Sequence, residues 1–111
     1  MLIPRRIQSE LSLLSREYKV VTLTGPRQSG KTTLARAQFP DYHYVNLEDP
    51  ESRALAERDA REFLRRHPVP VIIDEIQRFP QLLSYIQVES DKLSTKGAYI
   101  LTGSHQPSLK A

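Results

Sequence analysis

Between residues 6 and 18 the apolar side chains Ile7, Leu11, Leu14 and Tyr18 recur at helical spacing, with Gln8, Glu10 and Arg16 on other faces. This predicts an amphipathic helix from Arg6 to Tyr18. The pattern then tightens. Lys19 to Thr24, KVVTLT, is short, rich in β-branched residues and closed by Gly25-Pro26, as a buried strand running into a tight loop should be. Lys31 to about Gln38 reads as a helix, stopped by Pro40. A second strand is predicted from Tyr42 to Leu47, after which Asp49-Pro50-Glu51 supplies an N-cap, a proline at the first helical position and an acid in the first turn. One or two charged helices fill Glu51 to Arg66 and end at His67-Pro68. The apolar run Val69 to Ile73 is a third strand, with Pro70 tolerable only near its start. Phe79, Leu82, Leu83, Ile86 and Leu93 mark an amphipathic helix that begins at Pro80, and Ala98 to Ser104 is a fourth strand.

Strands alternate with helices throughout, and Val69 to Ile73 and Tyr99 to Leu101 are apolar on both faces. The expected fold class is therefore α/β, a parallel sheet covered on both sides by helices. Such sheets bind ligands at the carboxyl ends of their strands. Here those ends carry Asn46, the pair Asp74-Glu75, and Thr102 with Ser104, while the first strand ends in a glycine loop.

That loop is where chemistry enters. GPRQSGKT, Gly25 to Thr32, has the G-x-x-x-x-G-K-[ST] spacing of a phosphate-binding P-loop, or Walker A motif, and it follows a predicted strand and opens a predicted helix, the context the motif requires. Gly25, Pro26, Arg27, Gln28, Ser29, Gly30, Lys31, Thr32 and Thr33 form the candidate nucleotide cradle, its backbone N–H groups and helix dipole making an anion site. Lys31 would reach the β- and γ-phosphates, and the Thr32 hydroxyl would ligate Mg²⁺.

Asp74 emerges from the carboxyl end of a buried strand, where a Walker B aspartate binds Mg²⁺ in P-loop enzymes. Adjacent residues leave a strand on opposite sides, so Asp74 would serve the metal while Glu75 polarises a water for attack on the γ-phosphate; alternatively both acids only cap the next helix. Thr102, Ser104 and His105 are candidate sensors of the γ-phosphate, or strand-end groups that only satisfy a turn. Asn46 would either hold Glu75 away from the water, as a glutamate switch, or act as a turn asparagine. Glu48 and Asp49 read as helix-start residues rather than a metal pair.

Composition narrows the possible partners. The 111 residues allow one domain at most, and the net charge of +3, from 16 basic and 13 acidic residues without a block of five like charges, does not support nucleic acid as a partner. The cluster Arg61, Arg65, Arg66 and His67 reads as a solvated helix face, because Glu57 and Glu62 stand four residues before Arg61 and Arg66. Absence of cysteine excludes disulfides and thiolate metal sites. No apolar run approaches the ~18 residues of a membrane span, and MLIPRRIQSE lacks the apolar core of a signal peptide, so a cytoplasmic, membrane-free protein is expected.

GPRQSGKTTLAR, YVNLEDPESR, PVIIDEIQRFPQLLSYIQ and YILTGSHQPSL resemble successive blocks of the bacterial and archaeal AAA-type ATPases that join an N-terminal AAA domain to a C-terminal domain of unknown function. The resemblance covers nearly the whole chain. It implies Walker A at Gly25 to Thr32, Walker B at Asp74, a catalytic Glu75, ATP and Mg²⁺ as cofactors, and a sensor position between Thr102 and His105. It also implies a P-loop NTPase three-layer α/β/α sandwich with its four strands in the order 1-4-3-2. Residues 1–111 would then be a partial AAA domain, since family members continue with an arginine-bearing segment, a fifth strand and a helical lid. An uncovered first strand would invite self-association into a homo-oligomer, and a chain without that arginine would bind Mg-ATP weakly and hydrolyse it barely above background.

Three functions stay open at this point: a Mg-dependent ATPase, a nucleotide-binding interaction module without turnover, and a small P-loop kinase. Glu75 argues against the kinase, which must keep activated water away from the phosphate.

Overall fold

A four-stranded parallel sheet organises the chain. In the computed structural model, which describes residues 5–26 and 30–104, the elements are α1 (Arg5–Glu17), β1 (Val20–Gly25), α2 (Lys31–Gln38), β2 (His43–Asn46), α3 (Pro50–Arg58), α4 (Ala60–Arg66), β3 (Val71–Asp74), a 3-10 turn (Ile76–Arg78), α5 (Leu82–Asp91) and β4 (Tyr99–Ser104). Every strand pair is parallel, as the residue pattern leads one to expect, and the order β1-β4-β3-β2 is the one the family resemblance implies.

Successive strand residues face opposite sides of a sheet, and that alternation builds two cores here. Val71 and Ile73 of β3, with Tyr99 and Leu101 of β4, pack under α3, α4 and α5, where Phe63, Leu82 and Ile86 are buried. Ile72 and Ile100 point the other way and meet Val21, Leu11 of α1, and Leu34 and Ala35 of α2. The interior strands β3 and β4 are therefore buried on both faces, which is why they read as unbroken apolar runs.

The α1 stripe, Leu83 and the Glu57–Arg61 pair depart from expectation, while Glu51 to Arg66 forms two of the one or two helices expected. Only Leu11 of the α1 stripe is fully buried, and Leu14 and Tyr18 are exposed. The helix overhangs β1, which among the described residues is an edge strand. Leu83 is 44% exposed because Leu82 and Ile86 take the buried side of α5, and one residue turns the helix by about 100°. The segment Glu51 to Arg66 breaks in two at Asp59. This residue ends α3 by donating its N–H to the Leu55 carbonyl at 2.8 Å and starts α4 by accepting the Glu62 N–H at 3.1 Å. The break removes Glu57 from helical register with Arg61, so that pair does not form, whereas Glu62 holds both Arg65 and Arg66. Asp49 caps α3 as predicted, accepting the Ser52 N–H at 2.9 Å, while Glu48 reaches Arg78 across 3.5 Å.

The turn into β4 depends on Gly97. Its N–H donates to the Tyr18 carbonyl and its own carbonyl accepts the Tyr42 hydroxyl, each at 2.7 Å, so it ties α1 to the sheet. Its φ is +68°, and a Cβ would lie 2.8 Å from the Ser15 carbonyl oxygen. Gly97→Ala is expected to destabilise the protein by about 1–3 kcal/mol in urea unfolding followed by circular dichroism. An unchanged midpoint would mean that this junction is not constrained.

Candidate functional site

Parallel pairing brings the chemistry-bearing strand ends to one edge of the sheet. Asn46 lies opposite Asp74, Gly25 lies opposite Ser104, and the pairing of Ile73 with Leu101 carries Asp74 up to Thr102. From that edge α2 runs away, entered through Gly30 at φ 87°, a left-handed conformation that glycine adopts without penalty. Among the described residues no side chain caps the N-terminus of α2, and uncapped first-turn N–H groups at a helix start favour an anion. The predicted cradle residues Arg27, Gln28 and Ser29, and the predicted sensor His105, lie outside the described residues.

Asp74 is the centre of the site. It is 3% exposed, and its carboxylate accepts the Thr32 hydroxyl at 3.0 and 2.9 Å, the Tyr44 hydroxyl at 2.6 Å, and the Thr102 hydroxyl. Thr32 opens α2, Tyr44 is on β2 and Thr102 is on β4, so three elements converge on one buried charge. The predicted metal pair, Thr32 and Asp74, is thus in direct contact. Among the described residues there is no cluster of three or more His, Cys, Asp or Glu. A hydroxyl and one carboxylate nonetheless suit Mg²⁺, which takes hard oxygen donors and commonly combines one or two carboxylates with phosphate and water.

Glu75 leaves Asp74 by a different route from the one strand alternation suggests. It is the one non-glycine residue with positive φ among the described residues, at φ 62° and ψ 48°, and this left-handed step turns the chain into the 3-10 turn. Its N–H donates to Thr102 Oγ1 at 3.2 Å, while its carboxylate accepts Gln77 Nε2 at 2.7 Å and lies 3.5 Å from the Ser104 hydroxyl. Its side chain makes no helix-capping hydrogen bond. Gln77 in turn accepts the Ser104 N–H at 3.0 Å. The two acids therefore have separate surroundings: Asp74 sits among hydroxyls over α2, and Glu75 sits with Gln77 and Ser104.

Lys31 is not the solvent-facing loop charge that a P-loop spacing alone suggests. It is 8% exposed, and its ammonium donates to the Pro26 carbonyl at 2.7 Å and to Ser104 Oγ at 3.5 Å. Ser104 thereby stands between Lys31 and Glu75. Asn46 accepts the Glu48 N–H at 2.8 Å, the geometry of a turn asparagine.

Tyr44 and Gln77 are site residues that the motif reading misses. Period-two alternation contains the signal for Tyr44: Tyr44, Ile72 with Asp74, and Ile100 with Thr102 all face the α2 side once the strand order is known. Burial, and then the Asp74 carboxylate to which it donates, push the Tyr44 phenol well above its ordinary pKa, and the Arg36 guanidinium stacks 4.1 Å from its ring centre.

Comparison with known proteins matches residues 17–111 to a family described as an AAA domain. The chain belongs to that AAA domain family. Membership gives it a nucleotide-binding, ATPase-type fold, and the α2–β3 edge of this AAA domain is where the P-loop spacing and the acidic strand end meet. Uncharacterized proteins of Mycobacterium tuberculosis and Mycobacterium bovis are each 35% identical to this AAA domain over 112 residues, covering 98% of it and 25% of their own length. The chain thus spans about a quarter of the length of these curated relatives. Similar solved structures include a DNA replication initiation factor, with TM-score 0.48, 15% identity and coverage of 98% of this chain and 41% of that one. PCH-2 of C. elegans has TM-score 0.46, 16% identity and coverage of 96% and 37%. No helix of the described residues is long and apolar enough to cross a membrane.

The tyrosine at Asp74 makes a measurable pH dependence. Tyr44, Tyr42 and Tyr99 all have phenol pKa values raised by burial. Unfolded tyrosines ionise near pH 10 while these hold their protons longer, so above that pH the unfolded state binds fewer protons and stability is lost as pH rises. The urea midpoint is expected to fall above about pH 10, and less steeply in Tyr44→Phe, which has no proton to lose. Identical slopes in the two proteins would contradict the Tyr44–Asp74 contact.

Proposed function

We propose that this AAA domain binds ATP with Mg²⁺ and hydrolyses its β–γ phosphoanhydride bond. The observation that carries the reading is the contact between the Thr32 hydroxyl and the Asp74 carboxylate, at 2.9 to 3.0 Å, beside the Lys31 ammonium at the N-terminus of α2. A triphosphate in the Gly25–Thr33 cradle would meet the first-turn N–H groups of α2 and Lys31, both placed to take its negative charge. Thr32 and Asp74 would hold Mg²⁺, which when bound neutralises charge on the β- and γ-phosphates.

Glu75 is the base in this reading. A water attacking the γ-phosphorus gives its proton to a Glu75 carboxylate oxygen as the bond to the β-phosphate oxygen breaks, leaving ADP and inorganic phosphate. Gln77 and Ser104 orient that carboxylate by hydrogen bonds. Ser104 is the better sensor candidate of the two strand-end hydroxyls, because it reaches both Lys31 and Glu75, whereas Thr102 is fully buried and positions Asp74 and the Glu75 backbone. Asn46 is assigned the turn role, not the switch. ATP and ADP are the ligands of this reading, in the cytoplasm, with a homo-oligomer as the assembly.

Two sets of variants test it. Lys31→Ala should weaken ATP binding by roughly 10- to 100-fold in calorimetry, the loss of one or more charge-assisted contacts. Because Lys31 is buried, thermal melting is measured beside it, and a folded variant that binds ATP as the parent does would remove the P-loop assignment. Glu75→Gln should bind ATP about as well as the parent and, in a longer chain that is otherwise active, lose roughly 10²-fold or more in phosphate release, whereas Asp74→Asn should lose the Mg²⁺-dependent part of binding. If the two acids behave alike, their roles are wrongly divided. Binding without phosphate release in the longer chain as well would favour a nucleotide-binding module.

A further inference from the structure

At the amino-terminal end of the sheet, away from the nucleotide edge, a cavity of about 320 Å³ opens between α4, α5 and the start of β4. Arg61, Leu64 and Arg65 line it from one face of α4, Glu89 and Lys92 from the end of α5, and Tyr99 from the first position of β4. Tyr99 is five residues from Ser104 on the same strand, so the cavity lies roughly 16 Å from the candidate catalytic edge. The nucleotide chemistry described above uses none of these side chains.

Three features of the lining suit an anion. The Arg61 side chain makes no hydrogen bond or ion pair among the described residues, the helix break at Asp59 having separated it from Glu57. Arg65 and Lys92 are held only by exposed pairs with Glu62 and Glu89, and each keeps N–H groups to spare. Tyr99 is the third feature. It is 4% exposed and its hydroxyl has no hydrogen-bond partner, although every fully enclosed side-chain polar atom among the described residues has one. What remains open of Tyr99 is therefore its hydroxyl, at the cavity wall. Burial and the nearby Glu89 carboxylate raise its pKa, so it stays a donor at neutral pH. Three cations face one carboxylate, and Leu64 provides an apolar floor.

We propose that this cavity binds a phosphoryl dianion, as inorganic phosphate or as the head of a small phosphate ester, with Arg61, Lys92 and the Tyr99 hydroxyl donating to its oxygens. Guanidinium, ammonium and phenol donors together match a tetrahedral dianion better than a planar carboxylate, which one arginine satisfies alone. The volume admits a phosphate with a short carbon body over Leu64, and it is at the small end of ligand cavities. Occupation would brace α4 against α5 and the first residue of β4, whose far end carries Thr102 and Ser104.

The test is site-resolved, since phosphate is also expected at the α2 N-terminus. ¹⁵N-labelled protein is titrated with inorganic phosphate, with glycerol phosphate and with acetate, at ionic strength fixed by sodium chloride. The expected result is saturable shifts of the Leu64, Lys92 and Tyr99 amides with both phosphates, distinct from shifts at Gly30, Lys31 and Thr32. Arg61→Gln, an exposed position, should weaken binding at the cavity about tenfold and Tyr99→Phe several-fold, with the response at Thr32 unchanged in both. Tighter binding of glycerol phosphate identifies an ester as the ligand, and equal binding identifies free phosphate. Shifts confined to Gly30–Thr32, equal affinity for acetate, or full affinity retained in both variants would overturn the proposal.

Discussion

A carboxylate taken out of water must be met by donors, because an unmatched buried charge costs several kcal/mol or forces protonation. Asp74 meets that requirement with the hydroxyls of Thr32, Tyr44 and Thr102. Each donor comes from a different element, so one electrostatic constraint fixes how α2, β2 and β4 sit around the end of β3. The same constraint sets the chemistry. A hydroxyl and a carboxylate already in contact at the start of α2 need little rearrangement to share a divalent cation, and the surrounding hydroxyls keep the carboxylate from swinging away. Tyr44 is in turn held by Arg36 over its ring, which extends the network to the last turn of α2.

Separation of the two neighbouring acids follows from the backbone. The chain leaves β3 in a left-handed step at Glu75, a conformation that costs of order 1–3 kcal/mol for a residue with a side chain. Thr102 links the two halves of that step, donating to Asp74 and accepting the Glu75 N–H. The step directs the Glu75 carboxylate to Gln77 and Ser104 instead of to the hydroxyls around Asp74. In the proposed reaction a metal-holding acid and a water-activating acid need different environments, and this one strained residue would supply them without a long loop.

Much of this was legible in the pattern of residues. The strands that are apolar on both faces are the interior ones, and the polar residues that close each run stand together on one edge, because parallel strands must align their carboxyl ends. Asp49 and Pro50 mark a helix start as their chemistry requires. Other features were not legible, for identifiable reasons. Tyr44 looks like an ordinary strand aromatic until the register puts it over α2. Gln77 acts through a turn whose left-handed entry no glycine announces. Lys31 has the spacing of a loop cation, but its burial depends on the return of β4, which lies 73 residues further on at Ser104. Arg61 reads as half of a helical ion pair with Glu57, and the capping side chain of Asp59, which divides the helix, undoes that pair.

The central claim is that Thr32 and Asp74 make one site for a metal-bound nucleotide. It is tested most directly by calorimetric titration of the unaltered protein with ATP, once with Mg²⁺ and once with the cation removed by a chelator. The account predicts that Mg²⁺ strengthens ATP binding about tenfold or more, each tenfold step being about 1.4 kcal/mol. Equal affinity in the two titrations would contradict it, leaving the Thr32–Asp74 contact as a structural tie between α2 and β3.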